Sequence, residues 1–277
     1  MPDSVRVTTL CENTAGGPNL LGEHGLAMLL EARGKKILFD TGAGRTLLPN
    51  VQSLEVNLQD LDAVVLSHGH YDHTGGLPPL LKKHPSLLVY AHPDIFGAKY
   101  RRKNGVYKYI GVPWSRQQME QEGARFCLNR LPVELGPGIM LTGGIPRREE
   151  KVPGSGNFFL KTEAGMVADS LEDDQALVLE SSAGLVVLLG CAHAGLVNTL
   201  QYIRKLTGQE KIYALLGGTH LLDLKEEELR QILEQLQDFG LQKIAPCHCT
   251  GLPAQMALAR VFRENFLVNR AGSTFEL

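Results

Sequence analysis

The sequence predicts an α+β fold with strands inside and helices outside, arranged as two similar halves near residues 1–130 and 131–277. Three observations predict it. Each half opens on hairpin-like strands and continues as alternating strand and helix. The length of 277 residues suits one large domain. No short-period repeat or low-complexity tract interrupts the chain.

The elements follow in order. Val5–Glu12 alternates as a strand does, and Leu26–Glu31 and Lys36–Asp40 form a hairpin about Arg33-Gly34. Asp62–Leu66 is a short apolar run, read as a buried strand, that ends abruptly in Ser67-His68-Gly69-His70. Leu77–Lys83 reads as helix and Leu87–Ala91 as strand. Residues 92–130 have few apolar runs. Further strands are expected at Ile139–Thr142, Ala176–Glu180, Leu185–Leu189, Ile212–Leu216 and Lys243–Ala245. A helix over Ala194–Leu206 should stop at Gly208. A second should be capped by Asp223, carry Leu229, Ile232, Leu233 and Leu236 on one face, and end at Gly240. A third has Pro253 in its first turn and reaches Phe266.

Composition removes several classes. Hydrophobic residues at 43% and charged residues at 21% exclude a mostly disordered chain. A net charge of -2 argues against a dedicated nucleic-acid binder. The first twenty residues lack an apolar core, so no secretory signal is expected. Ser181–Ile203 is uncharged and long enough to span a bilayer. It also holds His193, Asn198, Gln201 and three glycines, and reads as strand, turn and helix. Five scattered cysteines do not suggest a disulfide framework, and the expected home is a reducing cytoplasm.

The chemistry concentrates in Ser67-His68-Gly69-His70-Tyr71-Asp72-His73-Thr74-Gly75-Gly76. Three imidazoles and a carboxylate follow directly on a strand, where glycines permit the bends that turn several side chains to one point. Neutral imidazole and carboxylate are ligands for zinc, iron, manganese or nickel. His68 and His70 could hold one ion, with Asp72 and His73 facing a second. His193 and His248 also stand between a strand end and a helix start. His220 has a similar but weaker placement, as ligand, substrate contact or turn residue. His24 reads as a turn residue that could line the site, and His84 and His92 as surface or loop residues.

His68-x-His70-x-Asp72-His73 resembles the signature of the metallo-β-lactamase superfamily, and the resemblance covers nearly the whole chain. It implies a four-layer αβ/βα sandwich of two mixed β-sheets flanked by helices, with metals at the sheet edge. Asp40-Thr41-Gly42 is similar to the family's early D-T-G element, in which Asp40 would brace the metal loop. It implies one or two divalent ions, zinc first, with manganese, iron, nickel or magnesium as alternatives. The expected ligands are His68, His70, Asp72, His73, His193 and His248, with Asp72 also catalytic. The family's T-P-G-H-T element has no histidine counterpart in Leu141–Pro146, and the bridging aspartate is absent. His193 is therefore open between the two roles. Together with Gly22-Glu23-His24-Gly25, Gly190-Cys191-Ala192-His193-Ala194-Gly195, Gly217-Gly218-Thr219-His220-Leu221 and Cys247-His248-Cys249-Thr250-Gly251, the variants resemble the dihydropteroate-synthase-like branch. That branch implies a dihydropterin transfer of the methanopterin type. Cys247, Cys249 and Cys191 are open between soft ligands, supporting thiols and small packing residues.

Between Ile95 and Met119, within an insertion over residues 94–120, Lys99, Arg101, Arg102, Lys103, Lys108 and Arg116 interleave with Phe96, Tyr100, Tyr107, Tyr109 and Trp114. The segment reads as a loop-like lid for phosphate and a flat ring, with Arg101, Arg102 and Lys103 as substrate contacts. A solvated surface loop is the plainer alternative, and a nucleic-acid groove a remoter one. Gly154-Ser155-Gly156-Asn157 is a weak phosphate-cradle candidate. The function expected is a metal-dependent enzyme acting on an anionic, phosphorylated small molecule, with no membrane partner and an undetermined oligomeric state. Its rivals are a hydrolase of phosphodiesters, lactones or thioesters and a non-catalytic metal- or ligand-binding protein. Redox chemistry at two irons ranks below these, because no flavin-binding domain follows.

Overall fold

A computed structural model describes residues 4–147 and 157–277. Gly154, Ser155 and Gly156 of the weak cradle candidate lie outside the described residues. Strands are numbered in chain order. The first sheet joins β1 (Val5–Cys11), β2 (Ala27–Ala32), β3 (Lys35–Phe39), β4 (Ala63–Val65), β5 (Leu87–Ala91), β8 (Ala124–Leu128) and β17 (Thr274–Glu276). The second joins β9 (Val133–Gly136), β10 (Ile139–Leu141), β13 (Ala176–Ser181), β14 (Gly184–Leu189), β15 (Ile212–Gly218) and β16 (Lys243–Cys247). A small third sheet joins β6 (Lys99–Lys103), β7 (Val106–Tyr109), β11 (Phe158–Thr162) and β12 (Gly165–Ala168).

The two large sheets pack face to face. In β2, Met28, Leu30 and Ala32 face the second sheet, while Ala27 and Leu29 face outward. In β14, Val186 and Leu188 face the first sheet, while Leu185, Val187 and Leu189 face outward. The side-chain period of two explains this division, and burial on both faces explains why these strands are apolar without alternation. Helices α1 (Leu47–Ser53), α3 (Leu77–Leu81) and α4 (Arg116–Gln121) cover the outer face of the first sheet. Helices α5 (Leu196–Thr207), α6 (Glu226–Leu236) and α7 (Leu252–Phe262) cover that of the second. The short α2 (Tyr71–Thr74) lies within the histidine motif. The result is the αβ/βα sandwich of mixed sheets. Among the described residues, no helix is long and apolar enough to cross a membrane.

Some local expectations need correction. The segment read as a loop holds a hairpin, β6–β7, followed by α4 and β8. Its strands are rich in Lys, Arg and Tyr, so the apolar pattern that marks a buried strand is missing. The first residue of α6 is Glu226 and Lys225 is its cap, with the Lys225 N–H donating to Glu228 at 2.9 Å. Asp223 instead lies 3.3 Å from Arg101. Helix α7 ends at Phe262 rather than Phe266, because Arg263 takes a positive φ of 49°. His92 is buried and accepts a hydrogen bond from the Asp94 N–H. Gly208 and Gly240 do close their helices in the left-handed conformation.

Candidate metal centre and its cavity

The parallel strands β3, β4, β14, β15 and β16 deliver side chains at their C-terminal ends. Asp40 follows β3, Ser67-His68 follows β4, Cys191 and His193 follow β14, His220 follows β15 and His248 follows β16. Four of these strand-end residues or their neighbours have a positive φ without being glycine: Asp40 (62°), Ala192 (54°), His220 (53°) and His248 (54°). Such conformations cost free energy and persist where surrounding contacts hold them. Their concentration at one end of the sandwich marks that end as a site. Two glycines allow the loops to approach. A Cβ on Gly69 would collide with the Ile95 carbonyl oxygen, and one on Gly190 with Ser67 Oγ.

The histidines converge. His68 Nε2 lies 2.9 Å from His70 Nδ1 and 3.2 Å from His193 Nε2. His73 Nε2 lies 3.2 Å from His248 Nε2 and 3.3 Å from Cys191 Sγ. Asp72 Oδ2 is 3.6 Å from His248 Nε2 and 3.1 Å from His24 Nε2. One nitrogen each from His68, His70 and His193 fall within 4.8 Å of one another, as do the donor atoms of His24, Asp72 and His248. Cys191 belongs to groups with His68 and His73, with His193 and His220, and with His248 and Cys249.

Buried hydrogen bonds hold the cluster. Asp40 accepts from the Ser67 N–H and hydroxyl, both at 2.7 Å, and sits 2.7 Å from His73 Nδ1. Asp40 thus ties the Ser67 and His73 segments together. Glu12 accepts the His248 N–H at 2.7 Å, and Asn13 Oδ1 lies 2.9 Å from His248 Nδ1. Asp173 accepts the Gly69 N–H at 2.7 Å and Asp174 the Ala194 N–H at 2.8 Å. Sequence reasoning missed Glu12, Asn13, Asp173 and Asp174. Each acts through backbone or imidazole groups far away in sequence, and only the consecutive acidic pair hinted at a role.

The electrostatics of His68, His70, His193 and His248 suit cation binding. Burial, followed by repulsion among their neighbours, holds His68 and His193 well below the ordinary imidazole value. Burial does the same for His70. These rings are thus neutral, the form that donates lone pairs to a metal. Burial also pushes His248 down to about 4. Burial opposes charge on His73, but Asp40 outweighs it and raises the ring to about 9. Burial would raise the Asp72 carboxyl, yet the His24 hydrogen bond and neighbouring imidazoles hold it well below the usual range. Burial would also raise Cys249, but hydrogen bonds from Cys191 and His220 bring it down. His70 Nε2, His193 Nδ1 and His220 Nδ1 are buried without a hydrogen-bond partner. Orphaned nitrogens beside closely facing imidazoles fit a site built around a cation.

A cavity of about 380 Å³ opens above this floor. His70, Asp72, Cys191, His220, His248 and Cys249 reach it, while His68 and His73 are completely buried below. Its wall includes Tyr71, Ile110 and Phe158. The hairpin adds Arg101, Lys103 and Lys108. Arg101 and Lys108 are cross-strand partners, and Lys103 shares the face of Arg101. The lid reading needs three changes. Arg102 is absent from the cavity lining, and its guanidinium carbon lies 5.7 Å from the centre of the Tyr107 ring. Lys99 is 2% exposed and pairs with Asp173 at 2.8 Å and Asp169 at 3.0 Å. Trp114 packs in the core and donates to the Thr74 carbonyl. Cys247 lies between the large sheets and accepts from Asn269 at 3.4 Å, apart from the cavity lining that Cys249 reaches. Of the two readings of His24, turn residue or residue lining the site, the structure has the second: it faces Asp72 at the cavity.

Comparisons with known proteins agree with this fold. Residues 21–195 match the family model of the metallo-beta-lactamase superfamily. The chain is 34% identical, over 98% of its length and 96% of the relative's, to the 7,8-dihydropterin-6-methyl-4-(beta-D-ribofuranosyl)-aminobenzene-5'-phosphate synthase of Methanocaldococcus jannaschii. The crystal structure of Tm1679, a metal-dependent hydrolase of the beta-lactamase superfamily, superposes with a TM-score of 0.85 at 31% identity, covering 99% of both chains. Zinc-bound PqqB from Methylobacterium extorquens shares the fold at a TM-score of 0.58 and 14% identity, covering 98% of this chain and all of that one. With the strand-end histidines, the sandwich and these relatives in agreement, the chain belongs to the metallo-β-lactamase superfamily.

Proposed function

We propose that this protein is a metal-dependent enzyme acting on a phosphorylated small molecule that carries a flat ring, in a dihydropterin transfer like that named for its archaeal relative. The observation that carries the reading is one cavity with imidazole and carboxylate donors at its floor and Arg101, Lys103 and Lys108 on its rim. His68, His70 and His193 would hold one ion, and His73, His248 and Asp72 a second. In this assignment His193 takes the role of the missing third histidine, and Cys191 stands where the bridging aspartate would be. Zinc suits the nitrogen- and sulfur-rich donors best. Manganese, iron or nickel are alternatives, and magnesium prefers oxygen. Bound there, a divalent cation would supply Lewis-acid stabilisation of developing negative charge.

The protein's own groups have separate tasks. Arg101, Lys103 and Lys108 would bind phosphate oxygens, and Tyr71, Ile110 and Phe158 would flank the ring. The arylamine nitrogen attacks the methylene carbon of the dihydropterin. A C–N bond forms, the C–O bond to diphosphate breaks, and the amine proton leaves with the diphosphate. Asp72 stays anionic and would orient the reacting groups, since its depressed carboxyl makes it a weak base. His220 lines the cavity and would contact substrate.

A hydrolytic reading uses the same floor and is favoured by the likeness to a metal-dependent hydrolase. One incubation separates the two. Metal-loaded protein is given a dihydropterin methyl diphosphate and the ribofuranosyl-aminobenzene phosphate, and products are followed by mass spectrometry. Coupled product with released diphosphate is expected. Diphosphate release without arylamine consumption would favour hydrolysis. Metal-loaded protein inert toward these compounds and toward phosphodiesters, lactones and thioesters would favour a non-catalytic binder.

A further inference from the structure

We infer that His24 is a metal ligand, completing the Asp72–His248 side of the centre in place of a bridging carboxylate. The inference rests on the metal-binding reading above and adds a ligand to it.

Four observations carry it. His24 Nε2 lies 3.1 Å from Asp72 Oδ2, which is itself 3.6 Å from His248 Nε2. The three donor atoms fall within 4.8 Å of one another, close enough to surround one cation. The His24 ring stands 5.0 Å from the His248 ring at 32°, so the two imidazoles that contact Asp72 Oδ2 are also neighbours of each other. Beyond the end of β14 this side has the thiol of Cys191 in place of a carboxylate.

The His24 side chain is 60% exposed, which ordinarily marks a mobile surface residue. Its backbone is nevertheless fastened to the centre. The Glu23 N–H donates to the Glu12 carbonyl at 3.0 Å, and the Glu23 carboxylate accepts from Ala43 and Arg45, both at 3.0 Å. The Gly25 N–H donates to Asn13 Oδ1 at 3.3 Å, the same oxygen that lies beside His248 Nδ1. The Leu26 N–H donates to the carbonyl of Asp72 itself at 3.1 Å. A Cβ on Gly25 would come 2.8 Å from that carbonyl oxygen, so glycine permits the close approach. The segment is thus held against both Asp72 and His248, and the exposed edge of His24 lies at the cavity mouth. A turn residue with no role would not need these attachments.

The plainer alternative is that His24 only donates a hydrogen bond to Asp72. Equilibrium dialysis against zinc chloride, read by elemental analysis, separates the two for the intact protein, His24→Ala and His24→Gln. Glutamine can still donate to Asp72 but supplies no imidazole. The expected result is two ions for the intact protein. Both variants should retain the first ion at unchanged affinity and bind the second at least roughly tenfold more weakly. Retention of the first ion also shows that the variants fold. A glutamine variant that binds both ions like the intact protein, or an alanine variant that is unaffected, overturns the inference. So does an intact protein with one ion that neither variant weakens. An intact protein that takes up no ion overturns the underlying metal reading instead.

Discussion

The floor of the cavity and its basic rim solve different physical problems. The floor sets His68, His70, His73, His193 and His248 at the ends of buried strands and fastens them with Asp40, Glu12, Asp173 and Asp174. The rim is the exposed part of the β6–β7 hairpin, from which Arg101, Lys103 and Lys108 line the cavity. Lys99, at the start of the same strand as Arg101, joins the two by pairing with Asp173, which holds Gly69 between His68 and His70. Positions that must converge to within about 3 Å need buried, fully bonded supports. Cations that receive a substrate can remain mobile and hydrated.

The sharpest contrast should appear in metal content. The double variant His68→Ala with His70→Ala should lose at least one ion per chain by elemental analysis, whereas Arg101→Ala should lose none. Equal metal content in the two proteins would break the division between floor and rim.

The link between the regions comes next. Lys99→Met leaves Asp169 and Asp173 buried without their cation and should destabilise the fold by about 3–5 kcal/mol in urea unfolding. Burial works against charge on Lys99, but the two aspartates outweigh it and raise its pKa. A change below about 1 kcal/mol would mean that the connection contributes little.

The supports can be tested by pH. Burial raises the Asp174 carboxyl to about 7 from an ordinary 3.8. With the folded-state value raised, the group's contribution is intact below pH 4 and is lost as pH rises to 7. The loss approaches about 4 kcal/mol. Asp174→Asn can still accept the Ala194 N–H and should lack this decline. Urea unfolding of the metal-free proteins at pH 4 and pH 7 gives the difference. Parallel pH dependence in both proteins would show that Asp174 is not held neutral by burial.

The smallest effect concerns the rim. Arg101→Ala with Lys108→Ala should weaken pyrophosphate binding by roughly tenfold in calorimetry. Arg102→Ala, on the other face of the strand, should change it less than about twofold. Equal effects would return the hairpin to the status of an ordinary charged surface.

What could be read from the sequence follows the same division. His68, His70, Asp72 and His73 were legible because ligand types crowd together directly after an apolar strand. His193 and His248 were legible because the same strand-end placement recurs. The apolar strands β2, β5 and β14 stood out for the same reason as their burial. The hairpin was not legible as strand, because Tyr100, Arg101, Arg102 and Lys103 carry no apolar alternation and gain their order from pairing with β7 and, for Tyr100 and Arg101, with β11. Asn13 was hidden because its role arises from a contact 235 positions away. His24 was legible only as a turn residue that could line the site, because its partner Asp72 lies in a separate motif. No local period records such contacts.

The central claim is that imidazoles from separate strand ends share a cation. Anomalous diffraction from crystals of the purified protein, collected at the absorption edges of zinc, iron, manganese and nickel, tests it most directly. A peak is expected among His68, His70 and His193, with a second beside His73, Asp72 and His248. Crystals grown with added zinc that show no peak within coordination distance of these residues would contradict it.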